Sequence, residues 1–206
     1  MFLASLPDTD PVQMMDTLKV DFLKLARCVV SPGWRLLLDA SEQAGIHYSL
    51  FGGGRMIIDE AAPIALQPHT LVIVPPGRRF QIEVRNDQYP DTELSTVDGR
   101  VQAFDSGGMQ TFIAGVGGPR LQLICGYFQA SYRDTLNLFA GLSAPMVQQF
   151  DASDQLDVDL LSALDELAAQ AVGSGAMTKS LLTQVLLTIL RRSLAASPSC
   201  CLMPRG

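Results

Sequence analysis

Residues 45–59 read GIHYSLFGGGRMIID, and residues 64–80 read IALQPHTLVIVPPGRRF. Two short runs rich in apolar and β-branched residues, Ile46 to Phe51 and Arg55 to Ile58, flank Gly52-Gly53-Gly54. Glycines between two such runs mark a hairpin. A further run, Leu71 to Val74, stops at Pro75-Pro76-Gly77, where proline removes a backbone donor and glycine frees the turn. The same texture extends outward through Phe22 to Val30, Trp34 to Leu38, Phe80 to Val84, Thr111 to Val116 and Leu121 to Phe128. Ser31-Pro32-Gly33 and Gly117-Gly118-Pro119 supply two more turns. Short strands separated by turn signals predict an all-β sandwich or barrel. Asn86 to Met109 is polar and poor in strand signal apart from Val101 to Phe104, and is expected to be a long loop, either a lid or a floppy excursion.

The periodicity changes on both sides of this zone. Asp10-Pro11 followed by Val12, Met15 and Leu18 at helical spacing predicts a short helix to about Lys19. After Asp151 the period becomes that of a helix. Leu156, Leu160, Leu164, Leu167 and Ala171 form one stripe behind Asp151, Asp154, Asp157 and Asp159, acids that favour a helix N-terminus. A second helix is expected from about Ala176 to Ala196, with Arg191 and Arg192 near its C-terminal end. At roughly 100° per residue, Leu181, Leu182, Val185, Leu186, Leu187, Ile189, Leu190 and Leu194 cover an arc of about 240°. A surface helix needs an apolar stripe of only about 100°. The excess is expected to face a second copy of the chain through Leu182, Val185, Leu186, Ile189 and Leu190; the alternative is a central helix of a monomer. The expected division is therefore 10–150 barrel, 151–196 helical dimerisation segment and 197–206 tail.

Composition narrows the function. The chain has 206 residues, 48% of them hydrophobic, which is ample for a buried core. No apolar run approaches the ~20 residues that span a bilayer, and no basic region precedes a hydrophobic N-terminal segment. Membrane attachment is not expected. Cys28, Cys125, Cys200 and Cys201 form no CxxC and have no zinc-like spacing to histidine, which fits a reducing, cytoplasmic setting. Cys28 and Cys125 lie in apolar runs and read as small core residues. With a net charge of −6 and no basic cluster beyond Arg78-Arg79 and Arg191-Arg192, these residues alone are poor partners for nucleic acid. No GxSxG, P-loop or helix-opening GxGxxG is present.

The two segments quoted first resemble the paired motifs of the cupin superfamily, and more narrowly the cupin sensor domains of AraC-type transcription regulators. Further segments match that pattern in order: the opening Asp10-Pro11, Leu121 to Phe128 with Cys125-Gly126, Asn137 to Pro145, and Gly175 to Arg192. The resemblance implies a mainly β, cupin-like jelly-roll barrel with a short N-terminal helix and a C-terminal pair of helices. It also implies an effector-sensing and dimerisation role, with no catalysis. Regulators of this kind continue into paired helix-turn-helix motifs that these residues lack, so DNA contact is expected only through such a domain.

Metal-dependent cupins place ligands at positions that hold His47, Ser49, Gly53-Gly54 and Phe80 in this sequence, so one donor of the set is kept and no metal or other cofactor is expected. Residues 47 and 49 share one face of a strand, and the resemblance points that face into the barrel. His47, Ser49 and Phe80 are then candidate contacts for a small-molecule effector, with Trp34 as a flat platform and Arg79 as a partner for an anionic group. The plainer readings are a hydrogen-bonded core histidine, a core tryptophan and a solvated arginine. A metal-dependent dioxygenase or isomerase, or a dimerisation module with a solid core, are the competing functions.

Overall fold

A computed structural model describes residues 18–86, 92–100, 103–106, 109–117, 121–132, 136–151, 158 and 174–195. They form two facing sheets and a C-terminal helix. The larger sheet contains β1 (Leu18–Val30), β3 (Ala44–Gly52), β6 (Thr70–Val74), β9 (Ala103–Ser106), β10 (Met109–Ala114), β11 (Leu121–Tyr132), β12 (Leu136–Asn137) and β13 (Met146–Gln149). Its order is β13-β6-β3-β11-β1-β10-β9, with β12 paired to β11. The smaller sheet, in the order β5-β4-β7-β2-β8, contains β2 (Trp34–Leu38), β4 (Gly54–Ile58), β5 (Ile64–Leu66), β7 (Phe80–Val84) and β8 (Ser95–Asp98). The helix, α1, spans Ser174–Ala195.

All eight expected runs are strands. The predicted long loop is not one: β8 pairs in parallel with β2, and β9 pairs antiparallel with β10. The predicted N-terminal helix lies outside the described residues except for Leu18 and Lys19, which belong to β1. The first of the two C-terminal helices also lies outside them, apart from Val158, which is helical. The second helix is present. Among the described residues no helix is long and apolar enough to cross a membrane.

Strand alternation divides the interior into two cores. On β3, Ile46, Tyr48 and Leu50 join a cluster with Ile124 and Phe128 of β11 and with Val185, Leu186, Ile189 and Leu190 of α1. The opposite faces of the same strands contribute to a second cluster between the sheets, with Cys28, Leu123 and Cys125 meeting Leu36, Met56, Phe80 and Ile82. A bulge between Phe22 and Lys24 switches the parity of β1. Val20 therefore joins the helix-side core, whereas Cys28 and Val30 join the inter-sheet core.

Of the residues expected at a dimer face, Val185, Leu186, Ile189 and Leu190 are at most 1% exposed within a single chain and pack in its own core. The side chain of Leu182 lies outside the described residues. Among the described side chains of α1, the exposed ones are Ser180, Gln184 and Arg191. The helix is also tied down by Arg192, whose guanidinium lies 4.5 Å from the ring centre of Phe150.

Candidate functional site in the barrel interior

Of the inter-sheet side chains, His47 is the one whose polarity is least explained by packing. It is 1% exposed, and neither ring nitrogen finds a hydrogen-bond partner among the described residues. Burial pulls its pKa from 6.5 down to about 3, so the ring is neutral near pH 7. Its ring centre is 4.5 Å from that of Phe80 across the barrel, at an interplanar angle of 59°. Glycine at position 45 makes room for it, because a Cβ there would stand 2.7 Å from His47 Nε2. Ser49, on the same face of β3, is fully buried, and its Oγ is likewise unpartnered among the described residues. Two orphaned polar groups in an apolar interior each carry a desolvation cost.

His47 and Phe80 line a small cavity of about 40 Å³ together with Ala26, Cys28, Leu38 and Cys125. Phe112, Gly126 and Tyr127 complete its wall. Ser49 shares the strand face but is outside this lining. Burial raises the Tyr127 hydroxyl to about 12, and burial together with a hydrogen bond that the Cys125 S–H donates to Cys28 raises the Cys125 thiol. His47, Cys125 and Tyr127 are therefore neutral near pH 7.

A larger cleft of about 590 Å³ lies at the end of the smaller sheet, lined by Leu37, Ile57, Gln81, Asp39, Asp59, Glu60, Asp98, Arg79 and Arg100. Leu38 and Phe80 line both spaces and so stand between them. The cleft is ringed by ion pairs: Arg78 to Asp59 at 3.0 Å, Arg100 to Asp39 at 3.3 Å, and Arg79 to Asp39 at 3.9 Å. Hydrogen bonds from Arg100 bring the Asp98 carboxyl down to about 2.

The structure brings His47 and Phe80 together at the inner cavity, leaves Arg79 beside Phe80 in the outer cleft only, and sets Trp34 apart from both spaces. Trp34 is at the opposite end of β2 from Leu38, opposite Val84 and Ser95, and packs over Gly115, where a Cβ would fall 2.6 Å from Trp34 Cδ1. It is a half-buried packing residue and lines neither space. Arg79 is 77% exposed and belongs to the outer cleft. Sequence reasoning missed Glu83, which has no exposure and is gripped on the outer face of the smaller sheet by Arg35 at 2.6 Å and Arg55 at 2.7 Å. The strand registers Arg35↔Glu83 and Arg55↔Glu83 place one arginine on each side. It also did not join Cys28 and Cys125 to His47, because their meeting depends on strand order.

The donor set of a metal-dependent cupin does not fit these residues. The positions that would supply it hold His47, Ser49, Gly53-Gly54 and Phe80. Among the described residues no group of three or more His, Cys, Asp and Glu is placed to hold a metal.

No curated protein matches the chain by sequence. In overall shape it is similar to apo ToxT K231A from Vibrio cholerae strain SCE256, with a TM-score of 0.45 and 8% identity over 91% of this chain and 60% of that one. It is similar to unsaturated fatty acid bound wild-type ToxT from the same strain, with a TM-score of 0.40 and 5% identity over 85% and 53% of the two chains. It is also similar to the DMSP lyase DddQ from Ruegeria pomeroyi DSS-3, with a TM-score of 0.29 and 13% identity over 71% and 57%. The chain thus spans little more than half the length of the ToxT chains, and likenesses this distant carry no argument about function. The family model described as Cupin matches residues 12–195, and it agrees with the two facing sheets and their inter-sheet cavity. The chain belongs to the cupin family.

Proposed function

We propose that this chain is the effector-sensing part of an AraC-type transcription regulator, taking a small ligand between its sheets at His47 and Phe80 and relaying occupancy through α1. Cupin membership and the order of the motifs along the sequence support this reading. The observation that carries it is the alternation on β3. His47 faces the cavity, while its neighbours Ile46 and Tyr48 pack in one core with Val185, Leu186, Ile189 and Leu190 of α1. A shift of β3 on ligand entry therefore reaches the helix across a single backbone thickness. A ligand biases such an element only as far as it binds one arrangement more tightly than the other.

Leu38 and Phe80 are the side chains a ligand must displace to pass inward from the outer cleft. DNA contact belongs to a domain outside these residues. Pairing of two copies falls to the face of α1 around the half-buried Leu187, since the four core positions are spent.

A thermal-shift screen of small molecules on the chain tests the ligand site. A ligand present at about 100 times its Kd stabilises by about 2.7 kcal/mol, a rise of roughly 5–11 °C for a chain of this size. Ala26→Leu, which fills the cavity, is expected to abolish the shift. A ligand that stabilises Ala26→Leu as strongly as the parent binds elsewhere, and the reading then fails.

A further inference from the structure

The interior cavity holds more chemistry than a small organic ligand would use. Its volume of about 40 Å³ is a few times the ~10–15 Å³ that holds a single water molecule and far below the roughly 300–1,000 Å³ of drug-sized sites. As it stands it accepts an ion or a species of a few heavy atoms. Its polar lining is soft: the thiols of Cys28 and Cys125 and the unpartnered imidazole of His47. These three come from adjacent strands, β1, β11 and β3, with His47 opposite Cys125 in the register.

Cys28 pairs with Leu123 and Cys125 with Ala26, so the two cysteines are diagonal neighbours on one face of the sheet. Diagonal cross-strand positions lie about 7–8 Å apart, at or beyond the ~7 Å reach of a disulfide. A bridge with an atom between the two sulfurs suits that spacing better than an S–S bond. Thiolate ligands select soft ions, and the absence of a third or fourth ligand placed for coordination, among the described residues, disfavours zinc. A monovalent d10 ion is satisfied by two thiolates in a nearly linear arrangement.

We propose that Cys28 and Cys125 form a buried two-coordinate site for a soft monovalent ion of the Cu(I) class, with His47 beside it. Loading forms two metal–sulfur bonds and breaks two S–H bonds; both protons leave to solvent and no electron is transferred. The bis-thiolate complex carries one negative charge, and the N–H of neutral His47 is the nearby donor suited to one of its sulfurs. The inference rests on the cavity being the ligand site and names the ligand class for it.

The test is an anaerobic titration of the fully reduced chain with Cu(I) held by bicinchoninate, whose colour reports the copper it retains. Cys200→Ser and Cys201→Ser are made first, so that the adjacent tail cysteines cannot bind. This background protein is expected to withdraw one equivalent of copper, and Cys28→Ser or Cys125→Ser to abolish the withdrawal. Melting curves of the copper-free variants establish that they are folded. If every equivalent stays with the chelator, or if the variant lacking both Cys28 and Cys125 withdraws as much as the background, the inference is overturned. An organic ligand that stabilises the parent but not Ala26→Leu, with no copper withdrawn, overturns this inference and leaves the sensor reading standing.

Discussion

Replacing His47 by leucine separates a histidine kept for a ligand from one kept for stability. The imidazole is buried with both nitrogens unpartnered among the described residues, and an unsatisfied buried polar group costs about 1–3 kcal/mol. His47→Leu removes that cost and forfeits the ring contact with Phe80, which contributes about 0.5–1.5 kcal/mol. The net expectation near pH 7 is a gain of about 0.5–1.5 kcal/mol, or a rise in Tm of roughly 1–6 °C.

Acid should widen the gap. The folded pKa is lowered from 6.5 to about 3, so between these values the unfolded chain takes up a proton that the folded chain refuses. Stability is complete above pH 6.5 and is lost as pH falls toward 3. From pH 7 to pH 5 the parent should lose about 2 kcal/mol that His47→Leu does not lose. The other titratable groups lining the cavity, Cys28, Cys125 and Tyr127, are common to both proteins. Urea denaturation of both at pH 7 and pH 5 measures the difference. A variant less stable than the parent at pH 7, or a gap that does not grow at pH 5, would refute the claim that His47 is buried, neutral and unpartnered.

Three further predictions concern the frame around the site. Leu190→Ala should cost about 2–5 kcal/mol in urea denaturation, with no change in molar mass by light scattering where the protein stays folded, because Leu190 fills its own core. Glu83→Ala strands two arginines whose side chains remain about a third exposed, so the ~3–5 kcal/mol cost of breaking a buried pair should be reduced to about 2–4 kcal/mol in the same assay. Gly54→Ala sets a Cβ 2.6 Å from the Glu83 carbonyl oxygen and 2.8 Å from Leu121, and should lower stability by about 1–3 kcal/mol. A neutral result would mean that β4 can move away from β7 at little cost.

The eight expected strands were legible because each is rich in apolar and β-branched residues, and several are bounded by proline or glycine, as at Pro32-Gly33, Gly52 to Gly54 and Pro75 to Gly77. The strands β5, β8, β12 and β13 were not, being two to four residues long and partly polar, as in Ser95–Asp98 and Met146–Gln149. Their pairing comes from neighbours distant in sequence, such as β2 for β8. The broad apolar arc of α1 was legible but its covering was not, since periodicity reports how much of a helix is covered and not by what; four of its residues pack in the chain's own core. That His47 and Phe80 face the interior was legible because the cupin motifs place them on the inward face. Trp34 is on a strand of the site but at its far end, and one-dimensional position does not show which end of a strand bounds a cavity. Cys28 and Cys125 were legible as core residues, and both lie in the inter-sheet core, but their adjacency was not, because nothing in the sequence states that β1 and β11 pair.

The central claim, that occupancy between the sheets is transmitted to the C-terminal helix, is tested most directly by amide hydrogen exchange of α1 at saturating ligand, in the parent and in Ala26→Leu. The account expects binding to change protection in α1, around Val185 to Leu190, together with β3, and expects the filled-cavity variant to show no change in either. Protection that changes in β3 while α1 stays as it was, with ligand demonstrably bound at His47, would contradict it.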